Sequence, residues 1–211
     1  VDSAVTSTLS AKTGLKTIAV SMPIKQNHKQ HDLSIKHLDW LKSNFENVIT
    51  REISLDSIFF SFEESMQDFK NNLAFANSRS RLRMTTLYQI AQSNNGLVVG
   101  TGNKVEDFGV GFYTKYGDGG VDISPIADCT KTQVWEIASK MSIIEDIIEA
   151  QPTDGLWDDG RNDERQLGLT YKQIEEAMDN KDSKYYEKYM QIRKLNLHKM
   201  KPIPICLFED D

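Results

Sequence analysis

Short apolar segments alternate with helix-like segments through the first half of this chain. The strand-like runs lie at 16–22, 47–55 and 97–100, and helical patterns fill the intervals between them. In such a chain each helix returns the polypeptide to the same end of the sheet, so neighbouring strands run parallel. We therefore predict an α/β fold, in which helices cover both faces of a parallel sheet.

Several predicted helices carry recognisable ends. Gly14 fits a C-terminal cap after the first helix, and Thr130 fits an N-cap. Thr170 with Gln173 forms a capping-box pattern. Two prolines near the C-terminus favour an extended tail. The predicted helices lie at 3–12, 31–44, 58–71, 77–92, 131–141, from the capping box to about 180, and at 183–197.

The predicted sheet places particular residues at one edge. Ligands of parallel sheets bind beyond the carboxyl ends of the strands. Asp2, the loop that follows Met22, and Thr101 should therefore converge, and we expect a nucleotide to lie there.

A glycine-rich segment begins where the third apolar run ends. It reads GTGNKVEDFGVGFYTKYGDGGVDISP, from Gly100 to Pro125. It neither alternates like a strand nor repeats like an amphipathic helix, so it is poor core material. Glycines let a backbone approach a ligand, and the charged residues offer contacts to metal and phosphate. A flexible surface loop is the alternative interpretation.

Composition limits the possible classes of protein. The chain is 39% hydrophobic and 27% charged, which is ordinary for one globular domain. Its net charge of −6 disfavours general nucleic-acid binding. No apolar run is long enough to span a bilayer. Cys129 and Cys206 lie far apart without metal-ligand spacing, so we expect inert thiols and a cytoplasmic protein.

Several segments resemble known motifs. Val1, Asp2 and Ser3, which lead directly into a helix, resemble the end of the SGGxDS phosphate loop of the N-type ATP pyrophosphatases. Four later blocks resemble, in order, the NAD synthetase family. They are the arginine-rich NSRSRLRM at 77–84, the glycine-rich segment at 100–120, QPTDGLWDD at 151–159, and the pair His198 and Lys199.

The resemblance implies a fold and a reaction. The fold would be a Rossmann-like three-layer sandwich of the adenine nucleotide alpha hydrolase type. Residues 1–211 would form one domain, without its N-terminal strand and the SGG part of the phosphate loop. The enzyme would use ATP and Mg²⁺ to convert deamido-NAD to NAD through an adenylate. Ammonia would be the nitrogen donor in this short form, and the enzyme would be a homodimer without nucleic-acid or membrane partners.

The resemblance also implies site residues, and it implies no catalytic nucleophile. The magnesium ligands would be Asp2 and Glu106. The ATP contacts would be Val1, Asp2, Ser3, Thr101, Lys131 and Thr153. The deamido-NAD contacts would be Arg81, Lys115, Asp122, His198 and Lys199.

Other interpretations of these residues stay open at this point. Asp2 suits a helix cap, Glu106 a solvated loop acid, and Lys131 an ordinary surface position. Glu106 and Lys115 are nine residues apart, one more than in some relatives, and residues 60–76 show no recognisable pattern. The alternative functions are a glutamine-dependent synthetase with an upstream amidase domain, another N-type ATP pyrophosphatase, and a non-catalytic nucleotide-binding domain.

Overall fold

A computed structural model describes residues 1–153 and 162–208. Two strands, β1 Thr17–Ser21 and β2 Val48–Glu52, pair in parallel, with Thr17 opposite Val48. A 3₁₀ turn covers Gln67–Phe69, and a π-helix covers Lys104–Val110. The α-helices are α1 Asp2–Lys12, α2 His28–Asn44, α3 Asp56–Ser65, α4 Asn72–Ser93, α5 Lys131–Lys140, α6 Glu145–Ile148, α7 Asp163–Leu167, α8 Tyr171–Asp179 and α9 Tyr186–Met200.

The predicted α/β class is confirmed, because α1 and α2 pack against a parallel strand pair. The predicted strand at 97–100 is wrong as a full strand, since Val99 forms only a single parallel bridge with Ile123. Gly100 N–H donates to the carbonyl of Ile123 and Ile123 N–H to that of Val98, but Val98 donates its own N–H to a carboxylate oxygen of Asp122. A side-chain acceptor has replaced a ladder partner at this position.

Several helix boundaries also differ from the prediction: α2 begins at His28 rather than at 31, and α9 covers Tyr186–Met200 rather than 183–197. The predicted helix at 58–71 stops at Ser65 and gives way to the 3₁₀ turn. The next helix begins at Asn72 rather than at 77, because the Asn71 side chain accepts a hydrogen bond from Ala74 N and caps it. The caps predicted at Thr130 and Thr170 are both present as complete capping boxes. Gly14 adopts the left-handed conformation, with φ of 76°, beyond the end of α1.

Two apolar clusters hold the elements that carry the site. In the first, Val5 of α1 packs with Val134 and Ala138 of α5, so these helices lie side by side. In the second, Val105 and Val110 of the π-helix pack with residues of α8 and α9. The starts of α1 and α5 and the π-helix are thereby fixed relative to one another.

The close approach of α9 explains one glycine. Gly111 ends the π-helix in the left-handed conformation, with φ of 70°, and donates its N–H to the carbonyl of Glu106. A methyl group placed there would lie 2.6 Å from Cβ of Asn196, which leaves no room for a side chain. Among the described helices, none combines the length and apolar character needed to cross a bilayer.

His37 is buried between α1 and α2. Its Nε2 lies 2.8 Å from the Ser7 hydroxyl, and its ring stacks on Trp40. Its Nδ1 is buried and has no partner in the described part of the chain. Burial lowers the pKa of His37 to about 4, so the folded protein holds this imidazole neutral.

We predict an acid-dependent loss of stability from this histidine. Between about pH 6.5 and pH 4 the unfolded chain binds a proton at His37 that the folded chain does not, so the free energy of unfolding falls with pH. The loss is about 3 kcal/mol at pH 4. Urea titrations at several pH values should show a shallower pH dependence for His37→Gln. The same change at His28, which is exposed, should keep the wild-type slope, and equal slopes in all three proteins would contradict the prediction.

Candidate active site

Two carboxylates from distant parts of the sequence face each other at the starts of α1 and the π-helix. Asp2 and Glu106 both accept hydrogen bonds from Asn103 Nδ2, at 2.9 and 2.8 Å. Both also contact Lys131 Nζ, at 2.5 and 2.8 Å. Asp2 is therefore not a simple helix cap, since the N-cap of α1 is Val1, whose side chain makes no capping hydrogen bond.

Lys131 is the charge partner of this carboxylate pair. Its side chain is only 3% exposed, so it is not the ordinary surface lysine that its position at the start of α5 allowed. Its ammonium lies 4.9 Å from the centre of the Tyr171 ring and 6.0 Å from that of Trp135. Burial disfavours the charged ammonium, but the carboxylates of Glu106 and Asp2 outweigh this and raise the pKa of Lys131.

At Asp2 the neighbouring charge again outweighs burial, but here it lowers the pKa instead of raising it. Burial alone would favour a protonated Asp2, but the neighbouring Lys131 ammonium lowers the pKa of that carboxyl below its usual range. The site therefore holds an ammonium whose side chain is 3% exposed between two carboxylates whose side chains are 15% exposed. Removing any one of the three groups leaves an uncompensated charge in a mostly buried place.

The Asn103 side chain holds the carboxylates of Asp2 and Glu106 in place. It is fully buried, and its Oδ1 accepts the backbone N–H groups of Val105 and Glu106, at 3.0 and 2.9 Å. These bonds cap the π-helix and leave the amide Nδ2 free to donate to both carboxylates. One side chain thus fixes the backbone that carries Glu106 and bonds to its carboxylate.

Tyr171 reaches the same carboxylate from α8. Its hydroxyl donates to Glu106 Oε1 and lies 3.2 Å from Asp163 Oδ2. Burial, together with the charges of Glu106 and Asp163, raises the pKa of the Tyr171 phenol, so it stays a hydrogen-bond donor at neutral pH.

A third acid lies beside the pair. The Asp107 carboxylate packs directly against Gly102. A Cβ atom added to Gly102 would lie 2.0 Å from Asp107 Oδ2, so no side chain fits at this position. Burial, helped by the negative charges of Asp118 and Glu106, raises the pKa of Asp107 to about 8. This carboxyl is mostly protonated at neutral pH and adds little charge to the site.

A second group of predicted residues forms where α4, the glycine-rich segment and α9 meet. Arg81 Nε donates to the carbonyl of Lys115, at 3.3 Å, and Lys115 Nζ donates to the carbonyl of His198, at 2.9 Å. Lys199 Nζ donates to the carbonyls of Gly111 and Tyr113. Four of the five predicted dinucleotide contacts thus come together, and Arg81, Lys115 and Lys199 make this a cationic group.

The remaining predicted residues are placed less closely. Asp122 lies apart from the cationic group, where its two oxygens accept from Tyr88 and from Val98 N. Ser3 is exposed in the first turn of α1, and Thr101 is half-buried two residues before Asn103. Thr153 is the last described residue before a gap, so residues 154–159 of the QPTDGLWDD block lie outside the described residues.

Sequence reasoning assigned no role to Asn103, Tyr171 or Asp163. Asn103 stands in the glycine-rich segment, beside residues that were assigned roles. Tyr171 follows the Thr170 cap, but nothing in its local pattern indicates a contact with Glu106. That contact depends on how α8 packs against the π-helix.

The two facing carboxylates fit a magnesium ion. Mg²⁺ takes oxygen ligands, uses one or two protein carboxylates, and completes its shell with water and phosphate oxygens. Asp2 and Glu106 supply that ligand type at one point, and the Lys131 ammonium already shows that a cation is held between them.

Known proteins resemble this chain over nearly its whole length. A family model described as NAD synthase matches residues 1–204. The NH(3)-dependent NAD(+) synthetase of Carboxydothermus hydrogenoformans is 39% identical over 83% of this chain and 71% of its own length. That of Mesoplasma florum is 35% identical over 94% of this chain and 81% of its own length.

Solved structures share the fold. An NMN synthetase from Francisella tularensis superposes with a TM-score of 0.89 and 32% identity, over 98% of this chain and 85% of that one. An NH3-dependent NAD synthetase from Campylobacter jejuni has a TM-score of 0.73 and 22% identity, over 98% and 87%.

We predict that Lys131→Met destabilises the protein. Methionine has a similar length but no charge, so it leaves two buried carboxylates facing each other. Removing one partner of a buried ion pair costs about 3 kcal/mol or more of unfolding free energy, which urea denaturation at pH 7 measures. Lys140→Met, at the exposed end of the same helix, should cost only a few tenths of a kcal/mol. Similar losses in both variants would refute the role of Lys131.

Proposed function

Because this chain belongs to the NAD synthase family, we propose that it amidates deamido-NAD to NAD with ATP and ammonia. In this reaction the substrate carboxylate attacks the α-phosphate of ATP and releases pyrophosphate. Ammonia then attacks the adenylated carbonyl and releases AMP. The observation that carries the proposal is the convergence of Asp2 and Glu106 on Lys131.

The chemistry explains why such a cluster is needed. A carboxylate is a poor electrophile until its oxygen becomes part of a good leaving group, and adenylation supplies one. The attack joins two anions, so the site must provide positive charge and hold both reactants in position. No nucleophilic side chain is required.

Asp2 and Glu106 would hold a magnesium ion. When bound, Mg²⁺ neutralises phosphate charge and polarises phosphate oxygens. The two carboxylates orient toward one point because Asn103 and Lys131 fix their oxygens. The residue types and their arrangement support this role.

The ATP phosphates would lie beside the start of α1. The N–H groups at a helix start favour anions, and Val1, Asp2 and Ser3 supply that turn. Lys131 would add an ammonium, and Thr101 and Thr153 would add hydroxyl groups. The match to the family pattern supports these contacts.

The cationic group of Arg81, Lys115, His198 and Lys199 would bind deamido-NAD. A dinucleotide has a pyrophosphate and a free carboxylate, so it requires several cations. Asp122 would accept from a ribose hydroxyl, in addition to the bonds that it already makes with Tyr88 and Val98. The grouping of four of these residues supports the assignment.

We also propose that residues 1–211 act as one domain that uses free ammonia, like the two curated relatives described above. Two solved glutamine-dependent NAD synthetases share the fold but are only 20% and 18% identical. Both cysteines are free thiols, which suits the reducing cytoplasm that we propose for this enzyme.

A second candidate is amidation of the corresponding mononucleotide. The NMN synthetase from Francisella tularensis is 32% identical, with a TM-score of 0.89, higher than that of the Campylobacter NAD synthetase. The carboxyl group that reacts would be chemically the same in both substrates. They differ in whether an adenylate half is attached, and the cationic group favours the larger anion.

The assay that tests the proposal combines ATP, Mg²⁺ and ammonium with either acid substrate, using full-length protein. We expect NAD, AMP and pyrophosphate in equal amounts from deamido-NAD. Glu106→Gln should lower kcat/KM by roughly a hundredfold, because one of two metal carboxylates is lost. Glu136→Gln, at an exposed position of α5, should match wild type.

Other outcomes separate the alternatives. Product from the mononucleotide alone would favour the second candidate. Pyrophosphate release only with an unrelated acid would indicate another N-type ATP pyrophosphatase. An absence of release with every acid would overturn the proposed activity.

An exposed apolar surface supports a homodimer. We define the α3–α4 surface as Ile58, Phe60, Phe69 and Leu73, whose exposed fractions range from 54% to 75%. Exposed apolar side chains mark interaction sites where they form a patch, and these four lie within residues 58–73. We propose that a second copy of the chain covers them.

Sedimentation should therefore give twice the chain mass for wild type. Phe60→Ser with Phe69→Ser should shift the protein to the monomer mass, because the contact loses two aromatic side chains. Leu195→Ser removes an equally exposed apolar side chain on α9 and should leave the dimer intact. A monomeric wild-type protein, or a dimeric double variant, would contradict this contact surface.

A further inference from the structure

We propose that Tyr171 is a positioning residue, which holds the Glu106 carboxylate toward Asp2 and links it to the segment that carries Thr153. This inference rests on the proposed function, because it concerns the same pair of magnesium-binding carboxylates. It assigns a role to a residue that neither the sequence motifs nor the family comparison singled out.

The hydroxyl of Tyr171 stands at the boundary between the apolar core and the site. The residue is only 1% exposed, and its ring packs among buried side chains that include Val105 and Ile174. Trp135 meets the ring edge-on at a centroid distance of 5.8 Å. The ring position is therefore fixed by packing, and the hydroxyl can point only toward the carboxylates of Glu106 and Asp163.

The backbone of Tyr171 is fixed as well. The residue begins α8 directly after the Thr170 capping box, and its N–H donates to Glu164 Oε1 at 2.9 Å. Both ends of the side chain are thus held before any ligand arrives. A rigid donor of this kind orients its acceptor at little entropic cost.

A chain of contacts leads from this hydroxyl to the Thr153 segment. Asp163, which lies 3.2 Å from the hydroxyl, donates its backbone N–H to the carbonyl of Pro152 at 3.1 Å. Pro152 directly precedes Thr153, a proposed ATP contact. The Tyr171 hydroxyl therefore links the Glu106 carboxylate, through Asp163, to the backbone at Pro152 beside Thr153.

Loss of the hydroxyl has a specific expected effect. Glu106 Oε1 would lose the donor that reaches it from α8, while Lys131 and Asn103 still hold one oxygen each, so the carboxylate would gain freedom to tilt about these two bonds. Groups that hold a metal ligand from behind typically contribute tenfold or more to metal affinity. The ring and the core around it would stay in place.

The test measures ATP binding by calorimetry with and without Mg²⁺, in the absence of the acid substrate. In Tyr171→Phe the tightening of ATP binding by Mg²⁺ should shrink by roughly tenfold, while ATP binding without metal stays close to wild type. Tyr189→Phe is the matched control. Tyr189 lies in the same apolar cluster but bonds to no carboxylate within the described residues. Equal behaviour of the two variants, or a parallel weakening with and without metal, would overturn the inference.

A second measurement avoids dependence on a variant that fails to fold. With 3-fluorotyrosine at position 171, the fluorine resonance should shift when Mg²⁺ is added to the ATP complex, because Glu106 gains a divalent partner. The same label at position 189 should show no such shift. A label at 171 that does not respond would refute the role. If wild type shows no effect of Mg²⁺ on ATP binding at all, the proposed function fails first.

Discussion

The ammonium of Lys131, held between the carboxylates of Asp2 and Glu106, is the interaction on which the site depends. In water these groups would attract each other weakly, but with most water excluded their attraction is large. The same exclusion makes each group costly to bury alone. The three elements that carry them, α1, the π-helix and α5, are therefore coupled through charge as well as through apolar packing.

Two neutral side chains, Asn103 and Tyr171, also hold the Glu106 carboxylate in place. Asn103 donates to both carboxylates, and the Tyr171 hydroxyl donates to that of Glu106 from the core side. Each reaches Glu106 while its own position is set by other bonds. The site is thus preorganised, which means that binding and chemistry need not reorder its acidic side chains at the moment of reaction.

The sequence predicts those features that depend on local patterns. The caps at Thr130 and Thr170 are visible because a capping box involves four consecutive residues, and strand–helix alternation predicts the α/β class. The predicted helix at 58–71 is too long because the chain leaves the α-helix at Ser65 and forms a 3₁₀ turn, and the Asn71 cap instead sets the start of the next helix. The resemblance pointed to Lys131, but only the packing of α1 against α5 shows that it is buried. Tyr171 was missed since its partner lies 65 positions away in sequence.

The wide turn at Lys104–Val110 has a consequence for how such a chain tolerates change over evolutionary time. A π-turn accommodates one more residue than an α-turn of the same rise, so an insertion can be absorbed there without shifting the flanking backbone. The Asn103 side chain caps the first turn of this π-helix, and Gly111, packed against Asn196 of α9, ends it. A change in the length of this segment can therefore occur beside the site while Asn103 and Gly111 keep their positions.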